Sequence, residues 1–569
     1  MLWKNNNILS LIVVALTTMA TGMNAQSTSD YSDGVFFVNE DWYGHQNSTV
    51  NFLTNDGEWI YRVFQKENPD NQLGCTNQYG QIYGDRFYLV AKQEKDPGAS
   101  VAGGRFTVAD AKSMKMICQL QTIDPDGGVA DGRGCVGVDE TKVYISTSNG
   151  IWIFDTESLQ VTGKVEGSDN PYASDDDNGG NTNPSNPNLY YGQVGSMVRV
   201  GDYVFAVHQS AGILVIDPKI DKVKKVIAIP AFIDEFNTYL DESEQLDNDD
   251  KPAVGSSIVM SKDGNVWVSV ARNESGSGVT LPFLIKTNPH TLESSVVYID
   301  PNMGLYPPAN SWYAWTSDGF CASNVENVLY WNGGNNSWFS NYMIFKYDID
   351  GNETQMIINL DTADDEGWKL YGCSMRSHPV TGDLYLSLFH NFGDPTYIVR
   401  KYDADGNYLA EYPMIQNYWF PSLPVFPDNE APIVSSPDDV TIESDSPVEV
   451  PLGDIATDAD NMDAAIVKTV KAVSDETVLK AEIVADKLVI TPLKNGDAVV
   501  TLGINSNGKL AEATVGVTVD IETGIGSVET SPAGVDIYDL NGMKKSSMKR
   551  GINIIRRADG TTVKLTVNK

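Results

Sequence analysis

The chain has 569 residues, 76 acidic and 40 basic, for a net charge of −36. That balance repels nucleic-acid phosphates and anionic lipid surfaces, so nucleic acid is excluded as the expected partner. The length exceeds what a single core accommodates, so several domains are expected.

Met1 to Ala25 carries a basic start at Lys4, an apolar run from Ile8 to Ala20 and a small residue at Ala25. This pattern predicts a cleavable signal peptide over 1–25, hence an exported protein. The first cysteine is Cys75, so a lipid on a new N-terminal cysteine is not expected. No later segment is long and apolar enough for a transmembrane segment.

From Gly34 the chain repeats one phrase: a turn, an alternating apolar run, then an abrupt polar end. It occurs at Val35, Phe87, Val143, Val204, Val266, Val328 and Leu384, in steps of 52, 56, 61, 62, 62 and 56 residues. Alternation predicts strands, and recurrence at this period predicts a repeat architecture. Each repeat reads as four antiparallel strands. A first strand opens on small residues, as at Gly74-Cys75, Gly134-Cys135, Gly195-Ser196, Gly255-Ser256, Gly319-Phe320-Cys321 and Gly372-Cys373. The phrase itself is the second strand. A third strand ends in an Asp or Asn turn, such as Asn288-Pro289 or Asp403-Ala404-Asp405-Gly406, and a fourth follows.

The expected fold class is therefore all-β, with a seven-bladed β-propeller over 34–428. Small first-strand openings are attributed to crowding at the axis. The first repeat lacks a first strand, and Tyr418 to Phe426 is expected to supply it, closing the ring and covering a sheet edge. After the linker Pro427 to Pro432, short alternating strands over 432–522 suit an immunoglobulin-like or cadherin-like β-sandwich. Thr457 to Asn461 offers hard oxygen donors suited to calcium, and also reads as a solvated turn. The same two readings apply to Asp175 to Gly179. A last small β module occupies 530–569.

Long insertions fall on one face of the predicted ring and carry many aromatic residues, which argues for ordered pocket walls. Beneath them converge the polar ends of the second strands. The expected ligand-binding set is Glu40, Asp41, Trp42, Lys92, Gln93, Tyr191, His208, Gln209, Arg272, Asn273, Trp312, Trp315, Asn332, Trp338, Trp368, His390, Asn391 and Trp419. Amides and aromatics around a concave mouth suit a large small-molecule ligand. Neither a zinc-type spacing nor a nucleophile motif is present, so no catalytic residue, metal ligand or cofactor is assigned. Cys75 with Cys135 and Cys321 with Cys373 are neighbours that could bridge; the alternative is that each is a small buried residue, with Cys118 on an outer strand.

Gly34 to Trp42, Gly103 to Lys112 and Tyr418 to Pro427 resemble a family of Bacteroidota exported propellers named only as a domain of unknown function, akin to surface-layer and YncE-like seven-bladed proteins. The resemblance extends to cell-surface propellers that capture cobalamin. It implies capture of a corrinoid nutrient at the cell surface, with an outer-membrane transporter as partner. Tyr538-Asp539-Leu540-Asn541-Gly542 and Gly551-Ile552 resemble the C-terminal sorting domain of secreted Bacteroidota proteins. Two other readings stand beside capture: a glycan- or protein-binding adhesin, and a propeller lyase or hydrolase.

Overall fold

A computed structural model describes residues 29–172, 192–246, 255–270, 282–300, 319–333, 341–365, 367–521 and 535–567. Packing divides the chain into two units. The first comprises residues up to 435 with 453–469 and 503–512; the second comprises 436–452, 470–502 and 513–569. The predicted signal segment lies outside the described residues. Among those described, no helix is long and apolar enough to cross a membrane.

In the first unit the recurring phrases are strands Gly34–Asn39, Arg86–Gln93, Lys142–Thr147, Tyr203–His208, Val266–Val270, Val328–Gly333 and Leu384–Phe389. Each is the second strand of a four-stranded sheet, and there are seven such sheets among the described residues of this unit. Every residue of Gly34–Asn39 and Leu384–Phe389 is buried, because both faces of a sheet pack on neighbouring sheets. The apolar core therefore lies between sheets: Phe36 meets Phe52 of its own sheet at 4.8 Å and Phe87 of the next at 5.1 Å.

The innermost strands are Pro421–Val425, Cys75–Tyr83, Gly132–Asp139, Val194–Val200, Gly255–Met260, Phe320–Ala322 and Lys369–Ser377. Each lies beside the next in that order, and the last returns to the first. The expected closing strand is in place. Pro421–Val425 runs antiparallel to Gly34–Asn39, with Phe36 opposite Val425 and Val38 opposite Leu423. Its two prolines are tolerated because one side of an innermost strand faces the axis and needs no ladder donor.

The turns between third and fourth strands are held by their own side chains. The Asp110 carboxylate accepts from Ser113 N at 2.7 Å, Asp155 from Ser158 N at 2.6 Å, and Asp403 from Asn407 N at 2.8 Å. Short Asx turns like these keep one end of the unit plain.

The innermost strands depart from ideal pairing in a recurrent way. In six of the seven sheets the register between first and second strands shifts near the strand start: at Ser422, Gln78, Arg133, Gly195-Ser196, Ser256 and 371–374. These are β-bulges, which leave a residue out of the ladder and re-aim its side chain. Gly195-Ser196, Ser256 and Gly372-Cys373, singled out in the sequence, lie at these shifts, and the glycines of this series are crowded by their own and by adjoining sheets: a Cβ on Gly255 would lie 3.2 Å from Val207 of the preceding sheet, and one on Gly319 3.0 Å from the Gly372 carbonyl oxygen of the next. A Cβ on Gly74 would lie 2.4 Å from the Gly104 carbonyl oxygen and 2.5 Å from that of Gln93. Backbone cannot yield as a side chain does, so Gly74→Ala is expected to cost about 1–3 kcal/mol in urea unfolding; an unchanged midpoint would contradict this packing.

Cys75, Cys118 and Cys135 are free thiols, so the Cys75–Cys135 bridge left open by the sequence is not formed. Cys118 lies on the outer strand Met116–Leu120.

Two further segments belong to the first unit and meet the far ends of the innermost strands. Asn507 Nδ2 donates to Ile82 O at 3.0 Å and to Asp428 Oδ2 at 2.6 Å, while Lys509 Nζ reaches Asp428 Oδ1 at 2.6 Å. A cavity of about 350 Å³ there is lined by Gln81, Arg376, Asp428 and Asn461, among others. Gly508 sits at φ +88°, and a Cβ there would lie 2.4 Å from Gly84 N. Gly508→Ala is therefore expected to lower stability by about 1–3 kcal/mol through strain and clash, read as a shifted urea midpoint. Asp458 and Asp460, considered above for calcium, lie in this region. Asp460 accepts Asn429 N and Glu430 N at 2.8 and 3.0 Å, and burial followed by the Asp458 carboxyl pushes its pKa up to about 6. No group of three or more His, Cys, Asp or Glu that could hold a metal occurs among the described residues.

The second unit contains a three-stranded sheet of Val448–Pro451, Lys487–Pro492 and Leu479–Val484. Strand Val440–Ile442 pairs in parallel with the end of Lys509–Val519. Alternate residues Val500, Leu502, Val515, Val517 and Val519 are buried, the period of two expected of strands with one inward face. A separate four-stranded sheet contains Asp536–Tyr538, Gly551–Arg556 and Thr562–Val567.

Candidate ligand-binding site

The ends of the second strands and the starts of the innermost strands share one end of the first unit, because those strands are antiparallel neighbours. The bulges lie at this end, and their side chains tie adjacent sheets together. Tyr371 Oη donates to Glu40 Oε2 at 2.6 Å, from the seventh sheet to the first. Arg133 Nε donates to Gln193 Oε1 at 2.7 Å, from the third sheet to the fourth. Ser422 Oγ donates to Asn77 O at 3.3 Å, from the first sheet to the second, and Gln78 bonds the Glu40 carboxylate. A polar belt thus ties the seventh sheet to the first, the first to the second, and the third to the fourth at this end.

Its electrostatics follow from burial. Desolvation raises the Glu40 carboxyl above its ordinary range, opposed by the Tyr371 hydroxyl, the Lys92 ammonium and Gln78. Lys92 is pushed down to about 8, by burial first and the Arg133 guanidinium second; Glu40 and Asp131 pull the other way. Arg133 is only 2% exposed. Asp131 forms a close ion pair with Arg105, which also reaches Glu94 at 3.0 Å. Tyr371→Phe should destabilise the protein by about 1–3 kcal/mol. The loss should shrink as the pH is lowered and the raised Glu40 carboxyl takes up a proton, because a protonated carboxyl needs the donor less; a loss that does not change with pH would contradict this role.

Beside the belt lies a shelf of aromatic rings. Trp42 stacks on His45 with centroids 4.3 Å apart and meets Tyr418 at 4.3 Å. Trp419 is buried, parallel to Tyr61 at 5.3 Å. Asp41 N and Glu40 N donate to the carbonyls of Trp419 and Phe420, each at 3.0 Å, so shelf and belt share one piece of backbone. Trp368 stacks on His390 at 3.6 Å, and His390 Nδ1 pairs with Asp394 Oδ2 at 2.9 Å. Phe392 is exposed and stacks on Phe420 at 5.5 Å.

The residues expected from sequence are distributed unevenly over this end. Glu40 and Lys92 lie in the belt, and Trp42 and Trp419 in the shelf. Asn332 is buried, its backbone N–H donating to Gly319 O at 2.7 Å, and its Oδ1 has no hydrogen-bond partner among the described residues. Gln93 ends its strand opposite Cys75. Others are engaged within loops. Asp41 is buried, accepts Thr49 Oγ1 at 2.8 Å and bonds Gln46; burial pushes its pKa well up. His208 is 2% exposed, its Nδ1 accepts Ala211 N at 3.2 Å, and burial lowers its pKa. Gln209 Oε1 accepts Gly192 N at 2.9 Å, and Asn391 Oδ1 accepts Gly393 N at 2.9 Å. Tyr191, Arg272, Asn273, Trp312, Trp315 and Trp338 lie outside the described residues, as does Asp175 to Gly179. The expected ligand-binding set does not contain Gln78, Arg133, Gln193 or Tyr371. The available signal was Gly132-Arg133-Gly134, an arginine between two glycines where an innermost strand begins.

The family described as a domain of unknown function (DUF5074) matches residues 33–427. The chain belongs to this family. No curated protein matches it. Among solved structures, this DUF5074 chain is similar to a quinonprotein alcohol dehydrogenase-like protein of Bacteroides thetaiotaomicron, at 15% identity over 70% of this chain and 79% of that one, with a TM-score of 0.41. It is also similar to the extracellular domain of a putative one component system of B. thetaiotaomicron, at 9% identity over 84% of this chain and 62% of that one, with a TM-score of 0.36. A third is the β-propeller domain of Myceliophthora thermophila Cps50 (Swd1), at 9% identity, 63% and 98% coverage and a TM-score of 0.36.

Proposed function

We propose that this DUF5074 protein is an exported, cell-surface or secreted ligand-binding protein. Its family domain is a seven-bladed β-propeller that takes a small molecule on its loop-bearing end, and a corrinoid is the ligand to test first. The observation that carries the reading is the juxtaposition of the Trp42, His45 and Tyr418 rings with the Glu40, Lys92 and Arg133 belt. Rings supply apolar area with little entropy to lose, and a polar belt orients a ligand bearing amides and charges. The signal-like Met1 to Ala25 segment supports export. The second unit is read as an immunoglobulin-like sandwich followed by a sorting-like module, which would present the propeller at the surface, beside a transporter if the cargo is a nutrient.

Titration of the purified chain with cobalamin, followed by visible absorbance, is expected to give binding at micromolar concentrations, weakened at least tenfold by Trp42→Ala. Absence of binding at those concentrations rejects the corrinoid. Exposed rings such as Phe392 also suit sugar faces, so a glycan array is the companion measurement; hits there without cobalamin binding would favour the adhesin.

A further inference from the structure

The innermost strands also enclose space at the end of the axis away from the long loops. Two cavities lie there, of about 350 and 240 Å³, and they share Tyr79, Gln81, Asn461 and Asn507. The larger by itself falls in the range of small-molecule sites, about 300–1,000 Å³. The walls are the closing residues of innermost strands, from Val425 of the first sheet round to Ser377 of the seventh, and segments 460–467 and 505–507 cover them.

The polar groups in these walls are short of donors. Gln81 Oε1 is buried and has no hydrogen-bond partner among the described residues. Asn507 Nδ2 donates to Ile82 O and Asp428 Oδ2, at 3.0 and 2.6 Å, and Asn461 Nδ2 to Asp428 Oδ2 and Asp460 Oδ1, both at 3.3 Å. With both amide hydrogens used, each asparagine can offer a guest only an acceptor oxygen, as Gln81 does. A buried acceptor without a donor costs free energy, so the cavities favour a guest rich in donors. Water alone is poorly held on the rest of the smaller wall, where Val136, Val138, Met197, Met260 and Val467 offer it no partner. Charge narrows the class further. Asp428 and Asp460 stand against an anion, and Arg376 and Arg199 against an ammonium.

We infer that these cavities form a binding site for a small neutral sugar of one or two rings, at the end of the axis opposite the loops. Hydroxyls supply the donors that Gln81, Asn461 and Asn507 lack, and the C–H faces of a ring lie on the valine and methionine wall. Asn461 and Asn507 are half-buried, which leaves a way in from solvent. The site does not rest on the corrinoid reading, which concerns the loop-bearing end.

Saturation-transfer difference NMR of the full chain with glucose, N-acetylglucosamine, maltose and cellobiose at millimolar concentration tests it. At least one sugar is expected to respond. Gln81→Leu should weaken that binding about tenfold, since a guest hydroxyl is then buried without its acceptor. The same change removes an unpartnered oxygen, so without sugar the urea midpoint should hold or rise. Ala465→Phe fills the smaller cavity from the turn Asp463–Ala465 and should weaken binding at least as much; if it does not fold, Gln81→Leu carries the test. Lys224→Gln, on the outer strand Lys222–Ile227, should leave binding unchanged. No response to any of these sugars, or undiminished binding by Gln81→Leu, overturns the site. Binding of spermidine in place of the sugars overturns its neutral class. Sugar binding lost on Trp42→Ala but kept by Gln81→Leu places the sugar at the loop-bearing end and overturns the site as well. Sugar binding without cobalamin binding keeps this site and removes the corrinoid, and the opposite pair of results does the reverse.

Discussion

Trp419→Ala is expected to destabilise the first unit by about 3–5 kcal/mol, the cost typical of emptying a large buried aromatic site. Trp419 is 1% exposed, its indole N–H donates to Ile415 O at 3.0 Å, and Arg62 lies 5.5 Å over its ring. Its position magnifies the effect. Trp419 lies two residues before the closing strand Pro421–Val425, and its carbonyl accepts from Asp41 N. Loosening it frees the edge of Gly34–Asn39, an unpaired edge being a route to aggregation. Urea unfolding followed by tryptophan fluorescence is the measurement, with light scattering to detect association. A loss below about 1 kcal/mol would mean the closing strand is held by its ladder alone.

The second large effect is a pH dependence traced to Lys92. Its pKa is about 8 in the folded chain and 10.5 in its ordinary state. Between those values the unfolded chain holds a proton that the folded lysine has released, so the unfolded state binds more protons and stability rises with pH. Buried tyrosines oppose this near the top of the window. Tyr88, pushed up to about 12 by burial, must stay protonated in the fold while the unfolded phenol ionises from about pH 10. The difference between wild type and Lys92→Met isolates the lysine. Wild type should gain stability relative to the variant from pH 8 to about 10, and Arg133→Met should move the start of that gain upward, because the guanidinium is the second cause of the low pKa. Parallel curves for wild type and Lys92→Met across that range would mean that the fold does not lower the proton affinity of Lys92.

Much of the first unit is read directly from local chemistry. Alternation and the Asp or Asn turns are properties of a few consecutive residues, and Asp110, Asp155 and Asp403 each make the local hydrogen bonds that such residues are chosen for. The closing strand at Pro421–Val425 follows from counting, since seven second strands with six first strands leave one edge to cover. Equivalent positions did not imply equivalent roles, however. His208 ends its strand and His390 follows the matching one, yet His208 is buried holding its own loop while His390 stacks on Trp368. Which way such a residue turns depends on the loop above it, and that loop differs between repeats.

The amino-acid sequence alone determined the all-β class, the period, the second strands and the strand that returns to the beginning, because each rests on short-range pattern or on simple topology. Only the tertiary structure decided the composition of the belt. A bulge inserts one residue without altering the repeat's appearance, and Arg133, Gln78 and Tyr371 become neighbours of Glu40, Lys92 and Gln193 only when sheets far apart in sequence are brought side by side around one axis.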